Sequence, residues 1–246
     1  MGRTGQHETD EARREVVRLL GSFAAAGMLG CGGNGARAAS ESSPTEASPS
    51  LGASCVVRPQ QTEGPYFVDE KLNRSDLTTD PATGAVRPGV PLSIAFRVSR
   101  TSAGLCGPLG GALVDVWQCD ALGAYSDIGG AAGSRFLRGY QVTDASGNAR
   151  FSTIYPGWYA GRAVHVHFKI RSEAGAVSRF EFTSQLYFDE SVTDAVHAQP
   201  PYSGRGRRDT LNQRDGIFAG GGPQLLLAVA REGSGYAGTF DIALQV

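Results

Sequence analysis

The sequence predicts an all-β fold, an antiparallel β-sandwich of about seven to nine strands with long irregular loops. Two observations point there. Gly and Pro are abundant, 34 and 12 of 246 residues, which favours short strands joined by turns over a helical bundle. Apolar residues alternate with small or polar ones over many strand-length segments. No apolar run reaches the roughly 18–20 residues that a membrane-spanning helix needs. The formal net charge is −1, from 23 basic and 24 acidic side chains. That balance leaves no surplus of positive charge to face a phosphate backbone, so no nucleic-acid partner is expected. Only Lys71 and Lys169 among the basic residues are lysines, a bias attributed to codon composition.

Taken in chain order, residues 1–38 read as an export signal. Arg13-Arg14 precede a mild apolar stretch, Leu19 to Gly30, in the charged-then-apolar layout of a signal peptide, and the paired arginines resemble a twin-arginine signal. Two processing sites compete. Met28-Leu29-Gly30-Cys31 resembles a lipobox in which Cys31 would carry lipid, the one expected attachment to a membrane; Ala36-Arg37-Ala38 suits ordinary signal peptidase. A short amphipathic helix is the plainer alternative. The expected location is periplasmic, cell-surface or secreted. Residues 39–54, rich in Ala, Ser, Pro and Glu, cannot bury enough apolar area to offset chain entropy and read as a disordered linker. The folded domain spans 55–246.

Within it Leu92, Ile94, Phe96 and Val98 alternate, and further strands are expected over Ala112–Trp117, Arg150–Ile154, Val164–Ile170, Phe180–Phe188, Gln224–Ala230 and Thr239–Val246. Asp189 to Gly222 shows no alternation and reads as a long loop packed over a site. With Cys31 lipidated, Cys55, Cys106 and Cys119 remain. Cys106 and Cys119 are expected to flank one strand, too far apart to bridge, so a disulfide would join Cys55 to Cys106 or to Cys119.

Chemistry concentrates at His165-Val166-His167. On a strand both histidines share one face, while Val164, Val166, Phe168 and Ile170 line the other. The plain reading is two solvent-facing imidazoles; the sharper one is a metal site, since both rings can converge on one ion. No second His or Cys cluster exists, which argues against structural zinc. The turn Pro156-Gly157-Trp158-Tyr159-Ala160-Gly161-Arg162 feeds into the same strand and presents Tyr159 and Arg162. Tyr125 follows the turn Asp120-Ala121-Leu122-Gly123.

Five motifs in order resemble the intradiol ring-cleavage dioxygenases, relatives of protocatechuate and catechol dioxygenases. They are Thr62-Glu63-Gly64-Pro65-Tyr66, then Asp115 to Ser126, then Phe136-Leu137-Arg138-Gly139, then Pro156-Gly157-Trp158-Tyr159, then Arg162 to Phe168. The resemblance runs from about Cys55 to Phe240. It implies that Tyr125, Tyr159, His165 and His167 hold one mononuclear non-haem Fe(3+), with Tyr159 as the displaceable tyrosinate, Arg162 as the active-site arginine and Gln185 as a pocket glutamine. The implied partners are an aromatic diol and O2, and the implied product is a cis,cis-muconate-type dicarboxylate. Phenolate is a hard anionic donor suited to ferric iron, and only a strong local cation ionises a tyrosine near neutral pH. Ferric charge is balanced by two tyrosinates and a hydroxide, or equally by one tyrosinate and a catecholate dianion, so a diol can bind without adding net charge.

One departure stands out: Ala163 occupies the position where the family usually has Pro. No counterpart of the helical dimerisation segment of catechol dioxygenases is seen, so oligomeric state and substrate do not carry over. Two other functions compete, a non-catalytic transthyretin-like module that binds aromatic ligands and a zinc-dependent hydrolase using His165 and His167. Asp189-Glu190 read as loop caps rather than ligands. Arg205-Gly206-Arg207-Arg208 reads either as a steering patch for anionic aromatics or as a loop held by Asp209 and Asp215, and His197 has no motif partner.

Overall fold

The computed structural model describes residues 55–246; the export signal expected over 1–38 and the linker over 39–54 lie outside the described residues. Among the described residues nine strands form two sheets. The first contains β1 (Pro91–Ser102), β2 (Leu105–Pro108), β5 (Asn148–Ile154), β8 (Val229–Glu232) and β9 (Gly235–Gln245). The second has the order β4 (Arg138–Val142), β3 (Leu113–Trp117), β6 (His165–Arg171), β7 (Glu181–Tyr187). All pairings are antiparallel except β1 with β9, which run parallel from Leu92↔Tyr236 to Thr101↔Gln245. This parallel pair is an exception to the expected antiparallel sandwich, and β9 joins β1 only after the whole second sheet has been laid down.

Alternation in β1 turns Leu92, Ile94, Phe96 and Val98 inward, each at most 1% exposed. They meet Val166, Phe168 and Ile170 of β6 across the core. Phe96 lies at its centre, with ring centroids 5.3 Å from Phe168, 6.0 Å from Phe151 and 6.1 Å from Phe240. With these β6 side chains committed to the core, His165, His167 and Lys169 must point to the other face of the second sheet.

That face is covered rather than solvent-facing. Residues 55–76 form a strap that bridges β9 at Val57↔Ala243, bonds to β7 through Gln61 N–H and the Thr183 carbonyl at 3.0 Å, and reaches β4 at Asn73↔Tyr140. The reading of exposed imidazoles is therefore corrected: His165 and His167 are buried beneath it.

Other expectations shift. Strand β4 lies outside the expected set because Arg-Gly-Tyr-Gln-Val carries no alternation, and β2 is only four residues long. The strand expected over Gln224–Ala230 starts at Val229, its first part being a 3-10 turn, Gly222–Leu225. Cys106 lies within β2, so Cys106 and Cys119 do not flank one strand; Cys55 bonds to Cys106 and Cys119 is a buried free thiol. The segment Asp189–Gly222 contains a helix, α1 (Glu190–His197). Asp189 caps it, accepting from the Ser191 and Val192 N–H groups at 2.8 and 3.4 Å, with Glu190 in the first turn and His197 in the last. No helix among the described residues is long and apolar enough to cross a membrane.

Candidate metal centre

Strand β6 supplies the two imidazoles. His165 Nδ1 lies 2.6 Å from the Ala163 carbonyl oxygen, so it donates its proton there and leaves the Nε2 lone pair free. That Nε2 is 3.0 Å from His167 Nε2, 3.2 Å from Tyr159 Oη and 3.5 Å from Tyr125 Oη. Four donor atoms from three segments thus converge on one point. His167 is stacked on Trp117, its register partner on β3, with centroids 4.9 Å apart and planes 6° apart; its Nδ1 is buried without a partner.

Two turns aim the tyrosines. The Asp120 carboxylate accepts the Leu122 and Ala124 N–H groups at 3.0 and 2.9 Å, and Gly123 takes φ +85°, which a glycine adopts without strain. The Pro156-Gly157 turn nests against it: Gly157 N–H donates to the Asp120 carbonyl at 3.2 Å, and a Cβ at Gly157 would overlap that oxygen. His197 holds the back of this turn, donating from Nε2 to the Pro156 carbonyl at 3.0 Å while stacking on Tyr202. Buried Arg138 fixes the residue after Tyr125, donating to Ser126 Oγ at 2.7 Å and to the Ser126 carbonyl at 2.5 Å, and reaches the Tyr66 carbonyl at 3.3 Å. Tyr66 stacks on Tyr125 at 4.4 Å and meets Tyr159 edge-on at 5.8 Å. Beside these rings opens a cleft of about 620 Å³ lined by Tyr66, Arg87, Tyr125, Ile128, Ala131 and Phe136.

Arg162 stands next to the donors, half-buried. Its Nη1 is 3.5 Å from Tyr159 Oη, its Nη2 donates to Gln185 Oε1 at 2.6 Å, and its Nε donates to Asp215 Oδ2 at 2.9 Å. Asp215 also accepts from the Ala163 and Ile217 N–H groups, at 2.8 and 2.7 Å. Burial alone would raise its pKa, yet the Ala163 N–H and the Arg162 charge outweigh that and hold the carboxyl below the usual range.

The donors are electrically quiet in the protein frame. Burial, reinforced by the Arg162 charge, pushes His165 down to about 3, and burial together with His165 holds His167 well below its ordinary value. Burial pushes Tyr159 up to about 12 despite Arg162, and Tyr125 well above its ordinary value. Both imidazoles therefore keep their lone pairs, while both phenols ionise only beside a strong cation. Two imidazole nitrogens 3.0 Å apart, a fixed tautomer at His165 and two phenols on the same point fit a hard multivalent cation. Among the described residues no group of three or more His, Cys, Asp or Glu gathers in this way. The two-His-plus-carboxylate set of a zinc hydrolase is thus not formed there.

All sequence-derived site residues, Tyr125, Tyr159, Arg162, His165, His167 and Gln185, come together. Sequence reasoning missed Asp215, Trp117 and Tyr187, whose hydroxyl donates to Gln185 Oε1 at 3.1 Å and faces Gln61 Oε1 at 2.9 Å. The register of β6 with its neighbours, Trp117↔His167, His167↔Gln185 and His165↔Tyr187, was the signal that could have found two of them. The basic run is also reassigned. Arg208 pairs with Glu190 and, at 2.7 Å, with Asp194, and Arg205 lies 4.8 Å over Trp158, whereas Asp215 serves Arg162.

A family model described as "Dioxygenase" matches residues 62–205. The chain is 34% identical over 151 residues to a chlorocatechol 1,2-dioxygenase from Pseudomonas putida, covering 52% of each; it spans about half the length of that curated relative. Among solved structures it resembles an intradiol ring-cleavage dioxygenase from Tetranychus urticae, with 30% identity, TM-score 0.68, and coverage of 78% of this chain and 95% of the other. It also resembles the dioxygenase domain of a dioxygenase carbohydrate-binding protein fusion from Streptomyces sp. SirexAA-E, with 36% identity, TM-score 0.57, and coverage of 78% and 99%. The family match runs through the strap, both tyrosine turns and the histidine strand, and the likeness to the two solved folds extends over nearly their whole length: the chain belongs to the intradiol ring-cleavage dioxygenase family.

Proposed function

We propose that this protein is a ferric-iron-dependent intradiol dioxygenase, which inserts both atoms of O2 into a catechol-type diol and opens the ring between the hydroxylated carbons to give a muconate-type dicarboxylate. The observation that carries the reading is the convergence of Tyr125 Oη, Tyr159 Oη, His165 Nε2 and His167 Nε2, with Arg162 3.5 Å from Tyr159 Oη. Ferric iron, when bound, supplies the charge that ionises the two phenols and withdraws electron density from a chelated diol so that its ring reacts with O2. The chain's own residues do the rest. His165 and His167 offer neutral nitrogens. Tyr125, 5% exposed, would be the fixed phenolate when iron is bound; Tyr159, nearer the surface, would be the displaceable one and would take a diol proton at Oη. The Arg162 guanidinium, held by Asp215 and Gln185, faces the negative charge that gathers on the diol oxygens. Trp117 covers the His167 ring and Tyr66 the Tyr125 ring.

Export of the folded protein is part of the same proposal. Its support is the Arg13-Arg14 signal pattern together with the Cys55–Cys106 disulfide, a bond that persists in oxidising compartments.

The test is ferric loading of the purified full chain, followed by visible spectroscopy and oxygen uptake with catechol, protocatechuate, hydroxyquinol and chlorinated diols. A coloured tyrosinate-to-iron charge-transfer band and ring-opened dicarboxylates are expected. Tyr125→Phe and His165→Ala should lose most of the bound iron and the colour. A protein that stays colourless, or extradiol semialdehyde products, would overturn the reading. Binding of diols without oxygen uptake would mark a non-catalytic module instead.

A further inference from the structure

Lys169 is one of two lysines in a chain that otherwise uses arginine for its basic side chains. On β6 it lies two positions beyond His167 and shares its face. The adjoining rows of the sheet match Gln185, His167 and Trp117 in one line and Thr183, Lys169 and Asp115 in the next. The Lys169 side chain is 7% exposed. Its ammonium forms ion pairs with Glu63 of the strap and, at 3.1 Å, with Glu181 of β7, and it sits 4.2 Å from the centre of the Phe67 ring. A compact point charge with three donors suits a pocket that presents two carboxylates and an aromatic face.

Glu63 belongs to the part of the strap that touches the donors. Its neighbour Gly64 has φ +69°, and a Cβ there would stand 3.5 Å from His167 Cε1. Tyr66, two residues further on, stacks on Tyr125. On the sheet side this stretch is held at Thr62, whose carbonyl accepts from Gln185 Nε2 at 2.9 Å, and at Tyr66, whose carbonyl accepts from Arg138. Between these two hydrogen bonds, the Glu63 carboxylate meets Lys169.

We propose that Lys169 is a positioning residue: its ion pair with Glu63 latches the 62–66 segment down over the candidate metal centre, keeping Gly64 against His167 and Tyr66 against Tyr125. This role rests on the ferric reading only for its effect on iron. The latch itself is a property of the chain.

The experiment compares the full-length wild type with Lys169→Met, Lys169→Arg and Glu63→Gln. Hydrogen exchange of the 62–67 amides is followed in metal-free protein, and the rate of iron loss to a chelator and the charge-transfer band are followed after ferric loading. In Lys169→Met and Glu63→Gln, exchange at 62–67 should quicken while the core strands stay protected. Iron loss should accelerate about 10- to 100-fold, the range usual for residues that support metal ligands from behind. Lys169→Arg, which keeps the charge, should recover part of both effects. Unchanged exchange at 62–67 in both neutral variants would overturn the latch, even if their thermal stability fell, because Lys169 would then be a packing residue only. A wild type that binds no iron would defeat the functional reading, and the exchange data would still decide the latch.

Discussion

Asp215 shows how much one side chain can settle. It is 2% exposed and accepts hydrogen bonds from Arg162 Nε and from the Ala163 and Ile217 N–H groups. The carboxylate thus ties Arg162 and the Ala163 N–H, just ahead of the histidine strand, to the loop at Asp215–Ile217. Asp215→Asn would replace an acceptor of Arg162 with an amide and leave the guanidinium short of charge compensation. Removing one partner of a buried ion pair costs on the order of 3 kcal/mol, and a displaced Arg162 should lower kcat by roughly 10²-fold, as angstrom-scale misplacement of a catalytic group does. The sign of the pH effect follows from the lowered carboxyl pKa. A carboxylate whose pKa is lower in the folded than in the unfolded state contributes stability that is fully present above its unfolded value, about 3.9, and is lost as pH falls through the folded one. Denaturant titrations should therefore show wild type and Asp215→Asn furthest apart at neutral pH and converging below about pH 4. A gap that stays constant down to pH 2 would show that the charge of Asp215 is not what matters.

At the scale of elements, the site depends on one strand and two turns meeting. The strand is legible in the sequence because His-x-His within an apolar alternation leaves β6 a single way to face, with Val166 and Phe168 inward. The turns are legible as Gly and Pro clusters, but not their contact, which is a matter of tertiary packing. Asp215 is hidden for a similar reason, lying 53 residues from Arg162 along the chain. Strand β4 is hidden because its burial comes from the strap: a Cβ on Gly139 would press on Arg74, Leu77 and the Leu72 carbonyl, so the absence of a side chain, not an apolar pattern, fits it there. The parallel β1–β9 pairing has no local signature at all. The contact between the turns can be tested directly. Gly157→Ala would push its methyl into the Asp120 carbonyl and separate the segment bearing Tyr159 from that bearing Tyr125. Overpacking of this kind costs about 1–3 kcal/mol. Iron content should fall with the stability, since two of the four donors move apart; full iron occupancy in a destabilised variant would mean the turns do not set the donor geometry.

For the molecule as a whole, the strap joins the two halves of the sandwich. It starts at Cys55, bonded to Cys106 on β2, runs beside β9 at Val57, crosses β7 at Gln61, passes over the candidate metal centre and ends against β4. The disulfide therefore fixes the first end of a segment whose middle covers the donors. The bond closes a loop with a sequence separation of 51, and the chain-entropy relation gives about 4 kcal/mol of stabilisation for a loop of that size. Against the 5–15 kcal/mol typical of a domain, that is a large fraction. Cys119 cannot substitute as a partner, because burial pushes its thiol up to about 12 and keeps it unreactive. The double variant Cys55→Ser, Cys106→Ser should unfold at lower denaturant by an amount near that figure, while its charge-transfer band, once iron is loaded, stays close to wild type because Thr62 to Tyr66 keep their own contacts with the sheet. Reduction of the wild type should give the same loss. If stability were unchanged but the band shifted, the disulfide would be acting on the candidate metal centre through the strap and not on the unfolded chain, and the strap would have to be regarded as one rigid lever from Cys55 to Tyr66.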